Sequence, residues 1–219
     1  MLCEQTVIYF KTNTFVKESA AKLRGFIAEY YRNILEFHHH IGEKFDYRHP
    51  LIQYKIINGE PLVMGICKGS ILLQLLENFD ELKTGKSTYQ VIEMQSKTIP
   101  VEVTISYKRV IYSFLTPWLA LNEKNYEKYQ RLGMWKQKKS LLEKILVGNI
   151  LSMSKSLGYT VPAPIEANII DLKEVPTKLK GTSMLGFLCT FSVNFEIPDY
   201  WGIGKSVSRG FGTVKRMGD

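Results

Sequence analysis

This chain has few cysteines and no long apolar run. Its 219 residues include three cysteines, Cys3, Cys67 and Cys189, which are far apart in sequence and each lie in an apolar run. An odd number at this spacing predicts neither a disulfide framework nor a zinc knuckle, and it favours a reducing compartment. No apolar run approaches the roughly 18 residues of a membrane span, and no charged start with a cleavage site indicates secretion. We therefore expect a cytoplasmic protein with no membrane partner.

Acidic residues are few relative to basic ones. The chain has 29 Lys and Arg against 21 Asp and Glu, a formal net charge of +8. This balance favours an anionic partner, and the 11 Phe and 12 Tyr residues offer stacking surfaces for bases as well as core. Hydrophobic residues make up 45% of the chain. That content suffices for one large domain or for two domains of about 100 residues each.

The periodicity of the first half predicts the order β-α-β-β-α-β, which is ferredoxin-like. Asn58-Gly59 is a hairpin signal, although Glu60 and Pro61 predict a turn longer than the ideal two residues. Ser70 is the predicted N-cap of the second helix. The predicted elements are strand Cys3–Phe10, helix Phe15–Phe37, strands Leu51–Ile57 and Leu62–Cys67, a helix from Ser70 to Phe79, and strand Thr88–Met94.

The second half repeats this order without a clear second helix. Its long amphipathic helix is predicted to face the core with Trp135 as well as its aliphatic residues, and to end at Gly158. The predicted elements are strands Val101–Tyr107 and Val110–Leu115, helix Leu132–Leu157, strands Ile165–Leu172 and Ser183–Ile197 joined by a loop Lys173–Thr182, and a short strand from Phe211. We predict an α+β fold of two tandem ferredoxin-like (RRM-like) domains, residues 1–100 and 101–219, with a C-terminal glycine-rich loop.

The stretch 202–216 combines four glycines and four cations with no acid. Glycine lets backbone N–H groups approach an oxyanion closely, and Lys and Arg neutralise it, so the stretch predicts a phosphate-binding loop. Its spacing fits neither the P-loop nor the dinucleotide-binding signature. This mismatch favours a long phosphate backbone over a single nucleotide as the ligand. The predicted binding residues are Gly202, Gly204, Lys205, Arg209, Gly210, Gly212, Lys215 and Arg216.

A second basic tract surrounds the start of the long helix. Lys136, Lys138 and Lys139 are its predicted RNA-binding residues. A basic helix face is more often simply solvated, but here it is also suited to tracking an RNA backbone.

Three consecutive histidines, His38, His39 and His40, follow the first helix, with Lys44 shortly after. Neighbouring side chains point in different directions, and no second ligand cluster is visible, so we predict no metal site. The structural alternative is that the histidines only complement the negative end of the helix dipole.

Two ferredoxin-like halves ending in Gly-x-Gly-x5-Gly-Phe-Gly resemble the CRISPR-associated repeat-RNA-processing endoribonucleases of the RAMP superfamily. The segment Gly202–Val214 is similar to the glycine-rich loop of that family, and His38, Gly42 and Lys44 fit its catalytic segment. The resemblance implies His38 as general acid or base and Lys44 as transition-state stabiliser. Such RNA cleavage without a metal needs a base for the 2′-OH, an acid for the leaving 5′ oxygen and a cation for the phosphorane, and histidine and lysine supply these groups. His40 is the main rival to His38, because one residue of register separates them.

The family often adds a tyrosine within the first helix to the catalytic set. Here Ala28 falls at that place, with Tyr30 and Tyr31 adjacent.

The implied function is metal-independent cleavage of CRISPR repeat RNA into guide-sized pieces, without a cofactor. The products are a 2′,3′-cyclic phosphate and a 5′-hydroxyl. The runner-up is a non-cleaving RAMP subunit that holds a guide inside an effector complex, which has no use for a histidine beside the scissile phosphate. A third reading, an unrelated RNA-recognition module, needs aromatic residues on the central strands, and Tyr9 or Phe10 together with Leu62–Ile66 match this only weakly. The sequence leaves open whether the protein joins an effector complex or pairs with a second copy of itself.

Overall fold

An apolar strand, β1, lies inside the first sheet. The computed structural model describes residues 1–38, 40–41, 44–45 and 48–218, and in it β1 spans Leu2–Thr12 with Val7, Ile8 and Phe10 buried. Helix α1, Ala20–Tyr30, buries Leu23 and Ile27, which are one helical turn apart and share a face. Strand and helix thus supply the core that the sequence pattern predicts, although α1 is shorter at both ends than the predicted helix Phe15–Phe37.

The described chain divides by its contacts into two units. One comprises Leu2–Val101 with Val207–Gly210, and the other comprises Met1, Glu102–Ser206 and the chain from Phe211. The remaining elements are α2 Leu35–His38, β2 His40–Ile41, β3 Lys44–Phe45, β4 Ile52–Ile57, β5 Glu60–Ile66, α3 Lys68–Leu73, β6 Glu81–Thr84, β7 Ser87–Glu102, β8 Thr104–Phe114, α4 Glu123–Arg131, α5 Trp135–Ser156, β9 Ala167–Leu179, β10 Thr182–Glu196, a 3₁₀ turn Val207–Arg209 and β11 Val214–Arg216.

The sheet order confirms the predicted fold class. Among the described residues, the five-stranded sheet has the order β4-β5-β1-β7-β6, the four-stranded sheet has the order β11-β8-β10-β9, and β2 and β3 form a separate two-stranded ribbon. The second sheet therefore places the fourth, first, third and second strands of its half side by side. The first has the same arrangement, with β6 added at its edge. Each is the antiparallel sheet of a ferredoxin-like fold. None of the described helices is long and apolar enough to cross a membrane.

The turn between β4 and β5 is shorter than predicted. Ile57 pairs with Glu60, which leaves Asn58 and Gly59 as a two-residue turn with φ of 52° and 83°. Positive φ at both positions is the conformation for which Asn-Gly is favoured. The expectation of a longer turn was therefore wrong, because Glu60 joins the strand.

The second helix of the first half is also shorter than predicted. It ends at Leu73, and Ser70 lies inside it, where the Ser70 and Thr6 hydroxyl oxygens are 2.7 Å apart. Ser70 is therefore not the N-cap, since its hydroxyl has a partner on β1. Phe79 lies outside the helix and packs against Phe26, with ring centroids 5.5 Å apart. The sequence did not predict β6, which begins two residues after Phe79 at Glu81.

Helix α5 follows the predicted pattern with one exception. Leu142, Leu146 and Ile150 are buried at helical spacing, and Gly158, just past the C-terminus, has φ of +78°. Trp135, predicted to face inward, is 51% exposed because it is the first residue of the helix. Helix α4 was not predicted, although the Asn122 side chain caps it by accepting the Asn125 N–H at 2.8 Å.

Strand β9 continues into the segment Lys173–Thr182, which was predicted to be a loop, and ends at Leu179. Lys180 and Gly181, with φ of 51° and 84°, form the turn to β10. Pro176 does not interrupt the strand: β9 is at the edge of its sheet, which is where a proline within a strand is tolerated. The expectation of a long loop was therefore wrong.

Candidate nucleic-acid site

The predicted catalytic segment lies in the first unit. Its backbone passes from the end of α2 at His38 into the two-stranded ribbon of β2 and β3, where His40 pairs with Phe45 and Ile41 with Lys44. His39 and Gly42 are outside the described residues, as are the side-chain positions of His38, His40 and Lys44. The ribbon therefore brings the backbones of His40 and Lys44 to adjacent pairs of one short ladder.

The residue before His38 is fixed in the core. Phe37 is 1% exposed, and its ring stacks on Tyr31 with centroids 5.0 Å apart. The buried Tyr54 hydroxyl on β4 donates to the Phe37 carbonyl at 3.2 Å. Burial raises the pKa of Tyr54, which keeps this donor protonated. The chain therefore enters the histidine segment from an anchored position.

Tyr30 and Tyr31, at the end of α1, both form hydrogen-bond contacts within the protein. The Tyr31 hydroxyl accepts the Glu77 N–H at 2.8 Å, and the Tyr30 hydroxyl lies 3.4 Å from the Glu77 carboxylate. Ala28, at the place of the family's tyrosine, is buried. Both tyrosines therefore tie helix α1 to the segment after α3.

Protein packing alone requires three glycines of the stretch 202–216. A Cβ on Gly212 would lie 2.0 Å from the Ile203 carbonyl oxygen, and one on Gly204 would lie 2.7 Å from Trp118 Nε1. A Cβ on Gly210 would lie 2.5 Å from the Ala20 Cβ. All three have positive φ, between 63° and 94°.

Two amides of the stretch also bond within the protein. Gly212 N–H donates to the Pro117 carbonyl at 3.0 Å, and Gly210 N–H donates to the Val207 carbonyl at 3.1 Å. The sequence predicted that such amides cradle phosphate. Since these two already have protein acceptors, the cations of the stretch are the stronger candidates for contacting RNA.

The four cations of the stretch differ in their surroundings. Lys205 and Lys215 are exposed, and Lys215 Nζ lies 5.9 Å from the centre of the Tyr200 ring. Arg216 is exposed and pairs with Glu196 at 3.3 Å. Arg209 is half-buried and belongs to the first unit, whereas the other three belong to the second.

Two of the three predicted cations at the start of α5 already contact other groups of the protein. Lys138 Nζ lies 4.6 Å from the centre of the Tyr129 ring, and Lys139 Nζ donates to Asn168 at 3.1 Å. Lys136 is exposed. The Tyr129 hydroxyl lies 2.5 Å from a Glu174 oxygen, which makes Tyr129 a packing residue rather than a base-stacking one.

A groove in the second unit brings two further cations beside Lys205. Its volume is about 1000 Å³, and its walls include Lys178, Lys180 and Lys205 together with Tyr126. The sequence placed Lys178 and Lys180 in a loop, so their position beside Lys205 was not expected. In the ranges that the structure describes, no three His, Cys, Asp or Glu side chains gather as a metal site requires.

Sequence reasoning missed a buried lysine beside the 207–210 turn. Lys55, on β4, is fully buried, and its Nζ donates to Gln53 Oε1 at 2.9 Å and to the Val207 carbonyl at 3.4 Å. Gln53 in turn lies 2.9 Å from the His49 ring. Burial lowers the pKa of Lys55 to about 7. Its only sequence signal is a charge at the centre of an apolar strand.

Comparison with known proteins identifies the family. Residues 1–101 match the Cas6b N-terminal domain and residues 104–217 match the Cas6b C-terminal domain. The chain belongs to the Cas6b family. A crystal structure of Cas6b is 39% identical, covers 99% of this chain and 100% of its own, and superimposes with a TM-score of 0.91.

Two more relatives extend the Cas6b match. A solved CRISPR RNA-processing endoribonuclease Cas6b is 37% identical, covers 99% of this chain and all of its own, and has a TM-score of 0.80. An uncharacterised protein of Methanocaldococcus jannaschii is 44% identical over 144 residues, which are 66% of this chain and 97% of that protein. The resemblance to RAMP-superfamily CRISPR RNA endoribonucleases is thereby confirmed at the level of the Cas6b family.

Proposed function

We propose that this Cas6b-family protein is a metal-independent endoribonuclease that cuts CRISPR repeat RNA. The observation that carries the proposal is the match of both halves to Cas6b, including a solved relative described as a CRISPR RNA-processing endoribonuclease. The +8 net charge suits an RNA substrate. The proposed place of action is the cytoplasm.

The proposed reaction is an internal transesterification. A base takes the proton of a ribose 2′-OH, the 2′ oxygen attacks the adjacent phosphorus, and an acid protonates the departing 5′ oxygen. The products are a 2′,3′-cyclic phosphate and a 5′-hydroxyl. Histidine suits the acid or base role because its ordinary pKa, near 6.5, lies close to neutral pH.

We assign the acid–base role to His38, with His40 as the rival, and the stabilisation of the phosphorane charge to Lys44. The support is the backbone geometry: the Tyr54 hydroxyl holds the carbonyl of Phe37, and the β2–β3 ladder joins the backbones of His40 and Lys44. A reacting group held by a fixed backbone loses less orientation entropy in the transition state.

We assign RNA backbone binding to the cations of the stretch 202–216 and to Lys136 at the start of α5. Lys138 and Lys139 are secondary candidates, because each already has a partner within the protein. Assembly with an effector complex or with a second copy of the chain stays a prediction. Size-exclusion chromatography with and without repeat RNA tests it.

The test uses the repeat RNA of the host's own CRISPR locus, incubated with purified protein in excess EDTA. We expect cleavage at one bond, and we expect a 2′-deoxy substitution 5′ of that bond to abolish cutting while leaving binding intact. Equal cutting of the deoxy RNA, or a strict need for magnesium, would contradict the mechanism. Tight binding of the unmodified RNA without any cutting would instead identify a guide-holding subunit.

A further inference from the structure

Arg24 has an environment that a surface arginine does not have. It lies on α1 and is 8% exposed, although most arginines stay largely in water. Ala20 precedes it by one helical turn, so the two residues share a face of the helix. The burial of a guanidinium is costly unless charged or hydrogen-bonding groups surround it.

The turn 207–210 packs against this same face of α1. Gly210 approaches Ala20 so closely that a Cβ on Gly210 would lie 2.5 Å from the Ala20 Cβ. Arg209, the residue before Gly210, is half-buried. The turn thus places a second arginine beside the helix face that carries Arg24.

The two guanidinium groups influence each other. The pKa of Arg24 is lowered first by burial and then by the positive charge of Arg209. Two like charges at a partly buried place repel each other, and an anion between them turns this repulsion into attraction. Lys55 holds the turn in place by donating to the Val207 carbonyl at 3.4 Å.

We propose that Arg24 and Arg209 together bind one backbone phosphate of the RNA, with Lys55 positioning the turn that carries Arg209. This inference rests on the proposed function, because it names part of the RNA-binding surface of the same protein. Guanidinium groups suit the role, since their planar donors can hold a phosphate through paired hydrogen bonds. Sharing a single phosphate distinguishes this arrangement from two separate surface contacts.

The experiment measures affinity for non-cleavable repeat RNA, 2′-deoxy at the cut site, as a function of salt. The variants are Arg24→Gln, Arg209→Gln and the double variant. Arg32→Gln is the matched control, because Arg32 follows α1, is 71% exposed and pairs with Glu29 at 2.9 Å. Thermal unfolding of each variant records whether it folds.

We expect each single variant to weaken binding about tenfold and the control to change it less than about twofold. In the double variant, the slope of log K against log salt should fall in magnitude by about 0.7 to 0.9, the value for one phosphate. A fall twice as large would mean two separate phosphates and would overturn the shared site. An unchanged affinity and slope for Arg24→Gln would also overturn it.

A second measurement covers the case in which Arg24→Gln fails to fold. In the wild-type protein, the side-chain Nε–H resonances of Arg24 and Arg209 should shift together when RNA is added, while that of Arg32 stays in place. RNA binding without a shift at Arg24 would overturn the inference alone. A wild-type protein that does not bind the repeat RNA would overturn the proposed function with it.

Discussion

In each ferredoxin-like half, the segment that follows the third strand packs closely around glycine. The two segments, 67–80 and 202–216, differ in charge. In the first half, Gly65 on β5 lies so close to α3 that a Cβ on it would be 2.2 Å from the Gly69 carbonyl oxygen. In the second half, a Cβ on Gly204 or Gly212 would also be closer than 3.0 Å to another residue, but a 3₁₀ turn replaces the helix. The segment 67–80 has one cation and two acids, whereas the stretch 202–216 has four cations and no acid.

This difference separates residues of the stretch that packing requires from those that remain candidates for RNA binding. Glycine meets a packing requirement in both halves, so its presence says little about RNA. The cations occur together only in the second connection, and nothing in the packing of the described residues requires Lys205 to be basic. We therefore expect glycine substitutions to reduce stability and cation substitutions to reduce RNA binding.

Replacement of Gly212 by Val is the most direct test of whether packing requires this glycine. The Cβ would meet the Ile203 carbonyl oxygen at 2.0 Å, and the residue has φ of +63°. We expect a loss of about 3 kcal/mol or more in the free energy of unfolding, measured by urea denaturation. Gly133→Ala is the control, because a Cβ there meets no atom within 4 Å. A Gly212→Val variant with wild-type stability and lost RNA affinity would show that the glycine serves the ligand.

Replacement of His38 by Ala separates chemistry from binding. Loss of a general acid or base typically costs about a hundredfold or more in rate, and we expect affinity to change less than about threefold. Single-turnover cleavage and filter binding measure the two quantities. His39→Ala is the control and should be mild. A severe effect of His40→Ala alone would move the acid–base role to His40, and normal cutting by all three variants would place the chemistry elsewhere.

Lys55 should give the first unit a measurable pH dependence. Its pKa in the folded protein is about 7, below the ordinary 10.5, so the unfolded chain binds more protons between these values. The free energy of unfolding should therefore rise with pH in this window, by up to about 1.4 kcal/mol per pH unit from this group. Lys55→Met should remove this part of the slope, whereas the exposed Lys11→Met should keep it. Parallel curves for wild type and Lys55→Met would contradict the burial argument.

The sequence predicted the elements whose pattern is local. The helix around Leu142 and Leu146 shows a 3.6-residue period, and Asn58-Gly59 indicates a hairpin, although Glu60 and Pro61 led to the wrong expectation of a longer turn. It did not predict the end of α3 at Leu73, because the Ser70 hydroxyl is satisfied by Thr6, which is 64 residues away. Such a partner leaves no trace in the local pattern.

The candidate residues differ in how far the sequence alone points to them. Arg209 and Lys205 were predicted as candidates because they stand among glycines in a stretch without acids. Arg24 and Lys55 were not, because a single cation in an apolar segment is informative only once its neighbours in the fold are known. Gly204 and Gly212 were identified as special positions, but the contacts with Trp118 and Ile203 that require glycine come from distant residues.

The most direct test of the proposed reaction is the chemistry of the cut ends. Repeat RNA is cleaved in EDTA, and mass spectrometry determines both new termini. The account predicts a 2′,3′-cyclic phosphate on the upstream fragment and a 5′-hydroxyl on the downstream fragment. A 3′-hydroxyl with a 5′-phosphate would contradict it, because water rather than the ribose 2′-OH would then have attacked the phosphorus.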